Sequence, residues 1–249
     1  MNPDQILAAL TEVYAQCPSY RDAGRVTTRF LYVEGPHNTS VRPFETAFIR
    51  PDRFRFEYRD RFRANRLWQR SIVWAGGGEV RTWWDGRPGV EKPESLSLAL
   101  AGATGVSGGS AHTVPALLMP DQISGRRLTN LRNPVSLEDA EIAGVTCYRI
   151  RGEYGPHPMD PARAERFREE YLRLTGQRLV FPQNSTMTLW IDRGTLLVRR
   201  IEKRRGFQTD AHTGLRPHST EQVTEYAPEV GVTITEAELR FDPSEKESL

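Results

Sequence analysis

Histidine, methionine and cysteine are scarce in this chain, at five, four and two among 249 residues. Cys17 and Cys147 form no CxxC pair and carry no metal-like spacing, which excludes a zinc finger and a disulfide-dense scaffold. Two readings stay open for them: two small buried thiols, or one long-range disulfide tying the first helix to a later strand. The histidines, His37, His112, His157, His212 and His218, form no HExxH and no i,i+4 pair, and four sit in Pro-, Gly- or Thr-bearing loops. No metal ligand set and no cofactor is therefore expected. A GxSxG elbow is missing, the nearest approach being "GVSGGSAH" with Ser107 and Ser110 near His112. No catalytic residue is assigned, and a hydrolase using loop histidines stands last among the alternatives. No apolar run reaches the roughly 18 residues of a membrane-spanning helix. The opening "MNPDQILAALTEVYAQC" has no basic stretch followed by an apolar one, so no signal peptide is written there. The expectation is a cytosolic protein or a chain begun after a removed signal. Charge of one sign is also lacking: Lys+Arg 34 against Asp+Glu 32 leaves +2, with no global polycation for nucleic acid.

What is present is strand periodicity. Residues 3 to 16 first read as a short amphipathic helix, with Ile6, Leu7, Leu10, Val13 and Tyr14 at helical spacing, Asp4 or Asn2 as cap, and Pro18 as stop. The period then changes from 3.6 to 2. "GRVTTRFLYVE" and "FETAFIRPDRFRFEYRD" alternate, and "SIVWAGGGEVRTWWDGRPG" reads as a hairpin around Gly76, Gly77 and Gly78. "VTCYRIRGEY", "TMTLWIDRGTLLVRRIEKRR" and "STEQVTEYAPEVGVTITEAELRF" supply further strands. Gly-bearing turns between near-regular strands predict a mainly β, antiparallel sheet or barrel, not βαβ units. Two segments interrupt it. Residues 94–119 are apolar, small and Gly-rich, predicting short helices with a joint; residues 160–175 predict a surface helix capped by Asp160 and ended by Gly176. The expected organisation is one domain over 1–243 and a tail over 244–249.

Residues 50–70, "RPDRFRFEYRDRFRANRLWQR", hold eight arginines and five aromatics. Parity sets the two apart: Arg53, Arg55, Glu57 and Arg59 on one strand face, Phe54, Phe56 and Tyr58 on the other. A single-strand nucleic-acid platform needs cations and rings on the same face, and Asp52, Glu57 and Asp60 dilute the positive field. A solvated arginine face and a buried aromatic face are expected, with no nucleic acid as partner. Trp83 and Trp84, adjacent in a strand, point to opposite faces; Trp84 shares parity with Val80 and Thr82 and is taken as the inner one.

The order of helix, alternating strand, "FIRPDRFRFE", "IVWAGGGEVRTWWDG", small-residue insert and "LWIDRGTLLVRRIEKR" resembles the LolA/LolB-like lipoprotein-carrier superfamily over roughly residues 4–242. The Arg50-Pro51 step followed by aromatics, the "GGGEVRTWW" hairpin and the "LWID-x-x-T-x-L-V-R-R-I" strand pair carry the resemblance. It implies an incomplete antiparallel β-barrel (α+β overall) wrapped around short lid helices, with an N-terminal helix and one extra surface helix. It also implies a non-enzymatic protein of the bacterial cell envelope, periplasmic once a signal is removed. Such a protein receives lipid or lipoprotein acyl chains in an apolar cavity. Residues 94–119 would be the lid, and Arg50 would hold it closed through its backbone. Phe48, Phe54, Phe56, Tyr58, Trp84, Leu98, Leu100, Leu117, Leu118 and Met119 would line cavity and lid, as would Leu96. The alternative within the same superfamily is a regulatory or scaffolding protein that binds another envelope protein, like its RseB-like members. The charged stretch 153–185 exceeds a minimal carrier and would cover an open edge or meet a partner. The arginine-rich outer face would meet anionic head groups by charge in transient membrane-surface contact.

Overall fold

The structure, a computed structural model, describes residues 1–32, 37–61, 67–155, 161–176, 182–207 and 219–243. Helix α1 (Pro3–Gln16) has the predicted bounds, and Asn2 caps it. The Asn2 side chain accepts from the Gln5 N–H, and the Gln5 side chain accepts from the Asn2 N–H, a reciprocal capping box. Then come β1 (Ser19–Leu31), β2 (Asn38–Ile49), β3 (Arg53–Arg61), β4 (Trp68–Gly76), β5 (Glu79–Trp84) and β6 (Arg87–Glu91). The 94–119 segment forms α2 (Leu96–Thr104), α3 (Ser110–Thr113) and α4 (Pro115–Leu118). After it follow β7 (Arg132–Ile142), β8 (Val145–Glu153), α5 (Pro161–Thr175), β9 (Pro182–Asp192), β10 (Val198–Phe207), β11 (Ser219–Tyr226), β12 (Glu229–Val230) and α6 (Glu236–Leu239). The tail over 244–249, and His157, His212 and His218, lie outside the described residues.

The strands form one antiparallel sheet in the order β6-β5-β4-β3-β2-β1-β11-β10-β9-β8-β7, with β12 beside β1. Strands β6 and β7 stand at its two edges and do not pair with each other, so the barrel is incomplete, as the resemblance implied. The β4–β5 hairpin turns on Gly77 and Gly78 at φ +61 and +81, the left-handed pair that a two-residue turn between twisted strands requires. Register aligns the inner side chains into rows: Phe48 with Tyr20 and Phe54, Thr46 with Asp22 and Phe56, Phe44 with Gly24 and Tyr58. Gly24 cannot carry a side chain, because a Cβ there would stand 2.4 Å from the Phe44 ring. That ring packs edge-on to Tyr226 at 5.4 Å.

Helices α1, α2 and α4 fill the concave side and bury Leu10, Tyr14, Leu100, Leu117 and Leu118 against Phe48, Phe54 and Phe56. Each such side chain removed from water contributes about 2 kcal/mol, which makes this the principal core. The convex side differs from the solvated face expected of it. Glu57 is buried between Arg55 (2.7 Å) and Arg59 (3.1 Å). The segment after β12 crosses the strands, seating Phe241 on Trp74 and Trp83 at 5.3 and 4.8 Å. Each arginine here has a carboxylate or a ring to meet, so the sheet is covered instead of bare. Helix α5 matches the expectation over Pro161–Thr175, whereas its expected cap Asp160 lies outside the described residues, and Phe167, Leu172 and Leu174 stand exposed on it.

The disulfide reading is corrected. Both cysteines are free and buried. Cys17, at the C-cap of α1, belongs to the concave core. Cys147 has the parity of the outward residues of β8, opposite Asp192. The sheet lies between the two sulfurs. Burial raises both thiol pKa values above the ordinary range.

Candidate functional site

The concavity has two ends. At the first, Arg50 donates from Nε to the Cys17 carbonyl (3.1 Å) and from Nη2 to those of Tyr14 (3.2 Å) and Leu118 (3.1 Å). These are carbonyls that the last turns of α1 and α4 leave without intrahelical partners. The guanidinium also lies 5.2 Å from the Phe48 ring centre. Arg50 thus ties α4 to α1. Around it Phe48, Phe54, Phe56, Leu100, Leu117, Leu118 and Met119 are all buried in close-packed core. Of the residues expected to line a cavity, this majority lies in packed core at the closed end.

The closed end also buries Asp22. Tyr20 donates to its Oδ2 at 2.6 Å, and Thr46 hydrogen-bonds to the same carboxylate. Burial pushes the Asp22 carboxyl up to about 6, against the pull of the Tyr20 hydrogen bond.

The second end is open. Between α2 and the inner face of β3–β6 lies a cavity of about 470 Å³. Its sheet wall is Tyr58, Ser71, Val73, Thr82 and Trp84; its helix wall is Ala99, Gly102 and Ala103, continued by Val106. The helix residues recur at i, i+3, i+4 and i+7, one face of a helix, and all are small. Leu96 and Leu100 turn instead into the core. Leu98 departs from the expectation: it is 56% exposed, because the α2 face it occupies meets neither core nor groove. The rim carries polar groups. Asp60 is held by Arg42 at 3.1 Å, Arg87 meets Glu91 at 2.8 Å, and the buried Gln69 Oε1 accepts no hydrogen bond.

The expected cavity residues are therefore divided. Tyr58 and Trp84 line the open groove, and Trp84 is on the inner side, with Trp83 against Phe241. The stripe of Ala99, Gly102, Ala103 and Val106 was missed. Its signal is the spacing of small residues in "LSLALAGATGV", where leucines at alternate positions stand out first.

The serine–histidine cluster does not assemble for catalysis. Ser107 and Ser110 donate to the carbonyls of Thr104 (3.3 Å) and Ser107 (3.1 Å). His112 Nε2 meets the Ser124 carbonyl at 2.9 Å, not a hydroxyl. Among the described residues no group of three or more His, Cys, Asp or Glu side chains is placed to hold a metal ion. No described helix is long and apolar enough to cross a membrane.

No protein-family model matches the chain. No curated protein matches it either. Among solved structures it is similar to LprF from Mycobacterium bovis, at 13% identity over 94% of each chain with a TM-score of 0.43. It is similar to the lipoprotein LppX of Mycobacterium tuberculosis, at 12% identity over 93% of this chain and 97% of that one, TM-score 0.41. A LolA-superfamily protein of Nitrosomonas europaea matches at 11% identity over 97% and 98%, TM-score 0.30.

Proposed function

We propose that this protein binds one slender apolar chain, of the acyl class, in the groove between α2 and the inner face of β3–β6. It acts as a binding and carrying protein, not as an enzyme. The observation that carries this is the groove itself: about 470 Å³ with small side chains on the helix facing Tyr58, Val73 and Trp84 on the sheet. That volume lies in the range of small-ligand sites, and the wall is mainly apolar with a few polar groups at the rim. Each methylene buried there contributes about 0.8 kcal/mol, so about eight contribute roughly 6 kcal/mol before the costs of ordering the chain. The resemblance of the sequence to the lipoprotein-carrier superfamily supports lipid or lipoprotein acyl chains as the ligand. It also supports the bacterial cell envelope as the place of action. Arg50, Phe48, Phe54, Phe56, Leu100, Leu117, Leu118 and Met119 then frame the closed floor, and Tyr58 and Trp84 touch the chain.

Gly102→Leu is the decisive variant. Nothing lies within 4 Å of where a Cβ would be added at Gly102, so the side chain enters open groove. A mid-helix glycine costs up to about 1 kcal/mol relative to a good helix former, so the variant folds at least as stably. Titration with a fluorescent fatty acid is expected to show binding to the native protein. Affinity falls about tenfold or more in Gly102→Leu, with an unchanged or raised melting temperature. No binding to the native protein, or equal binding by both, overturns the reading.

A further inference from the structure

Beyond the groove the same concave face turns basic. In the ladder, the row of Thr28, Gln222 and Lys203 comes after that of Val26, Thr224 and Ile201, and Arg205 lies one row further, opposite Thr220. Lys203 and Arg205 share the inward parity of Ile201. Lys203 Nζ stands 5.4 Å from the centre of the Tyr154 ring, and the Arg126 guanidinium 5.7 Å from the same ring. Two cations thus flank one half-buried aromatic, and the charge of Arg205 acts on both that ring and Lys203. Neighbouring acids are engaged elsewhere: Glu153 with Arg132 at 3.0 Å, and Glu221, on the outer parity, with Arg204. Among the described residues, Arg126, Lys203 and Arg205 have no carboxylate partner. Burial, with the charge of Arg205 adding to it, pushes the Lys203 ammonium down to about 8. A cluster without counter-charge is one that an anion would stabilise.

The turn after α2 joins this cluster to the groove. Val106 lines the groove. A Cβ at Gly108 would stand 3.0 Å from the Gln222 amide nitrogen, and one at Gly109 3.4 Å from Lys203 Nζ. Three residues of chain span at most about 11 Å, so groove and cluster are within reach of one amphiphile.

We infer that Arg126, Lys203 and Arg205 form an anion site for a phosphate monoester group, which is carried on the ligand whose chain occupies the groove. Phosphate suits the cluster because it offers three acceptor oxygens and close to two negative charges to converging cations. Arginine meets it with a planar fork and lysine with a point charge. This assignment of ligand class rests on the groove reading, and the test separates the two.

Calorimetric titration would compare a lysophosphatidic acid, a monoacylglycerol of the same chain, and inorganic phosphate, each against the native protein and Lys203→Gln/Arg205→Gln. The lysophosphatidic acid is expected to bind about tenfold or more tightly than the monoacylglycerol, and the double variant to bring that ratio near one. The variant's unchanged affinity for monoacylglycerol would show that it is folded. Inorganic phosphate that binds the native protein and not the variant supports the anion site even where no lipid binds, in which case the groove reading alone fails. Phosphate binding as strong as the lysophosphatidic acid's supports the anion site for a free phosphate and removes the chain from the ligand. Equal affinity for charged and neutral lipids, or a preference that survives the double substitution, overturns the inference.

Discussion

The two ends of the concavity are built on the same strands with the same alternation, yet one is solid and the other hollow. Phe56 and Tyr58 are two residues apart on β3, on one face, and both are buried. Phe56 stands in the row of Thr46 and Asp22, within the close-packed core. Tyr58 lies under α2, where the facing side chains are alanine and glycine. The sheet contributes large rings at both ends; helix side-chain size decides which end keeps a space. The ends also treat stray charge differently. At the closed end Asp22 has no ion-pair partner among the described residues and is met by the Tyr20 hydroxyl, with burial raising its carboxyl to about 6. At the open end Lys203 and Arg126 share the Tyr154 ring and have no carboxylate partner among the described residues.

The largest effect expected from this contrast is on stability. Phe56→Ala leaves a void in packed core and should cost about 4 kcal/mol in chemical denaturation. Tyr58→Ala, beside a cavity that already exists, should cost distinctly less. Equal losses would mean that the groove is not a real space in solution. Next is the closed end's buried acid. The folded Asp22 carboxyl holds its proton up to about pH 6, whereas in the unfolded chain it loses it near 3.8. The stabilisation is complete below the lower value and is lost as pH rises through the upper one. At about 1.4 kcal/mol per pKa unit, the difference comes to about 3 kcal/mol. Asp22→Asn cannot ionise. Its stability relative to the native protein should therefore improve by about 3 kcal/mol between about pH 3.5 and pH 7.5. A constant gap across that range would place Asp22 in water.

Parity made the inner and outer faces legible from the sequence, because a strand has only two sides. The Phe54, Phe56, Tyr58 alternation and the inward Trp84 follow from it, while the "GGGE" hairpin follows from the glycines that its turn requires. The span of helix α1 was legible because Ile6, Leu7, Leu10, Val13 and Tyr14 recur at helical spacing and Pro18 stops it, whereas the choice of Asn2 over Asp4 as cap needed the Asn2–Gln5 capping box. Depth along the strand was not legible. Nothing in "FRFEY" says that its second phenylalanine meets leucines while its tyrosine meets alanines, since that depends on where the 94–119 helices dock. For the same reason Leu98 was misplaced: its neighbours 96 and 100 enter the core, and a half-turn of helix separates it from them. Lys203 and Arg205 carried their signal in plain parity with Ile201, but a run of basic residues in "VRRIEKRRGF" reads first as a solvated face.

The smallest expected effect on stability belongs to the residue that joins helix to helix. Arg50 gives its hydrogen bonds at a half-buried site, where solvent discounts each of them, so Arg50→Ala should cost about 2 kcal/mol. Where that loss appears is more telling than its size. The Leu118 carbonyl is the contact that ties α4 to α1, whereas α2 is held through Leu96, Leu100 and the Ser97–Ser124 hydroxyl contact. Hydrogen exchange in Arg50→Ala should therefore quicken at the amides of Leu117, Leu118 and Met119 and leave those of residues 99–103 as they are. Arg50→Lys, which keeps the charge but not the fork, should lie between the two. If exchange quickens evenly across 94–119, the three helices open as one lid over the whole concavity, and the division into a fixed floor and an accessible groove does not hold.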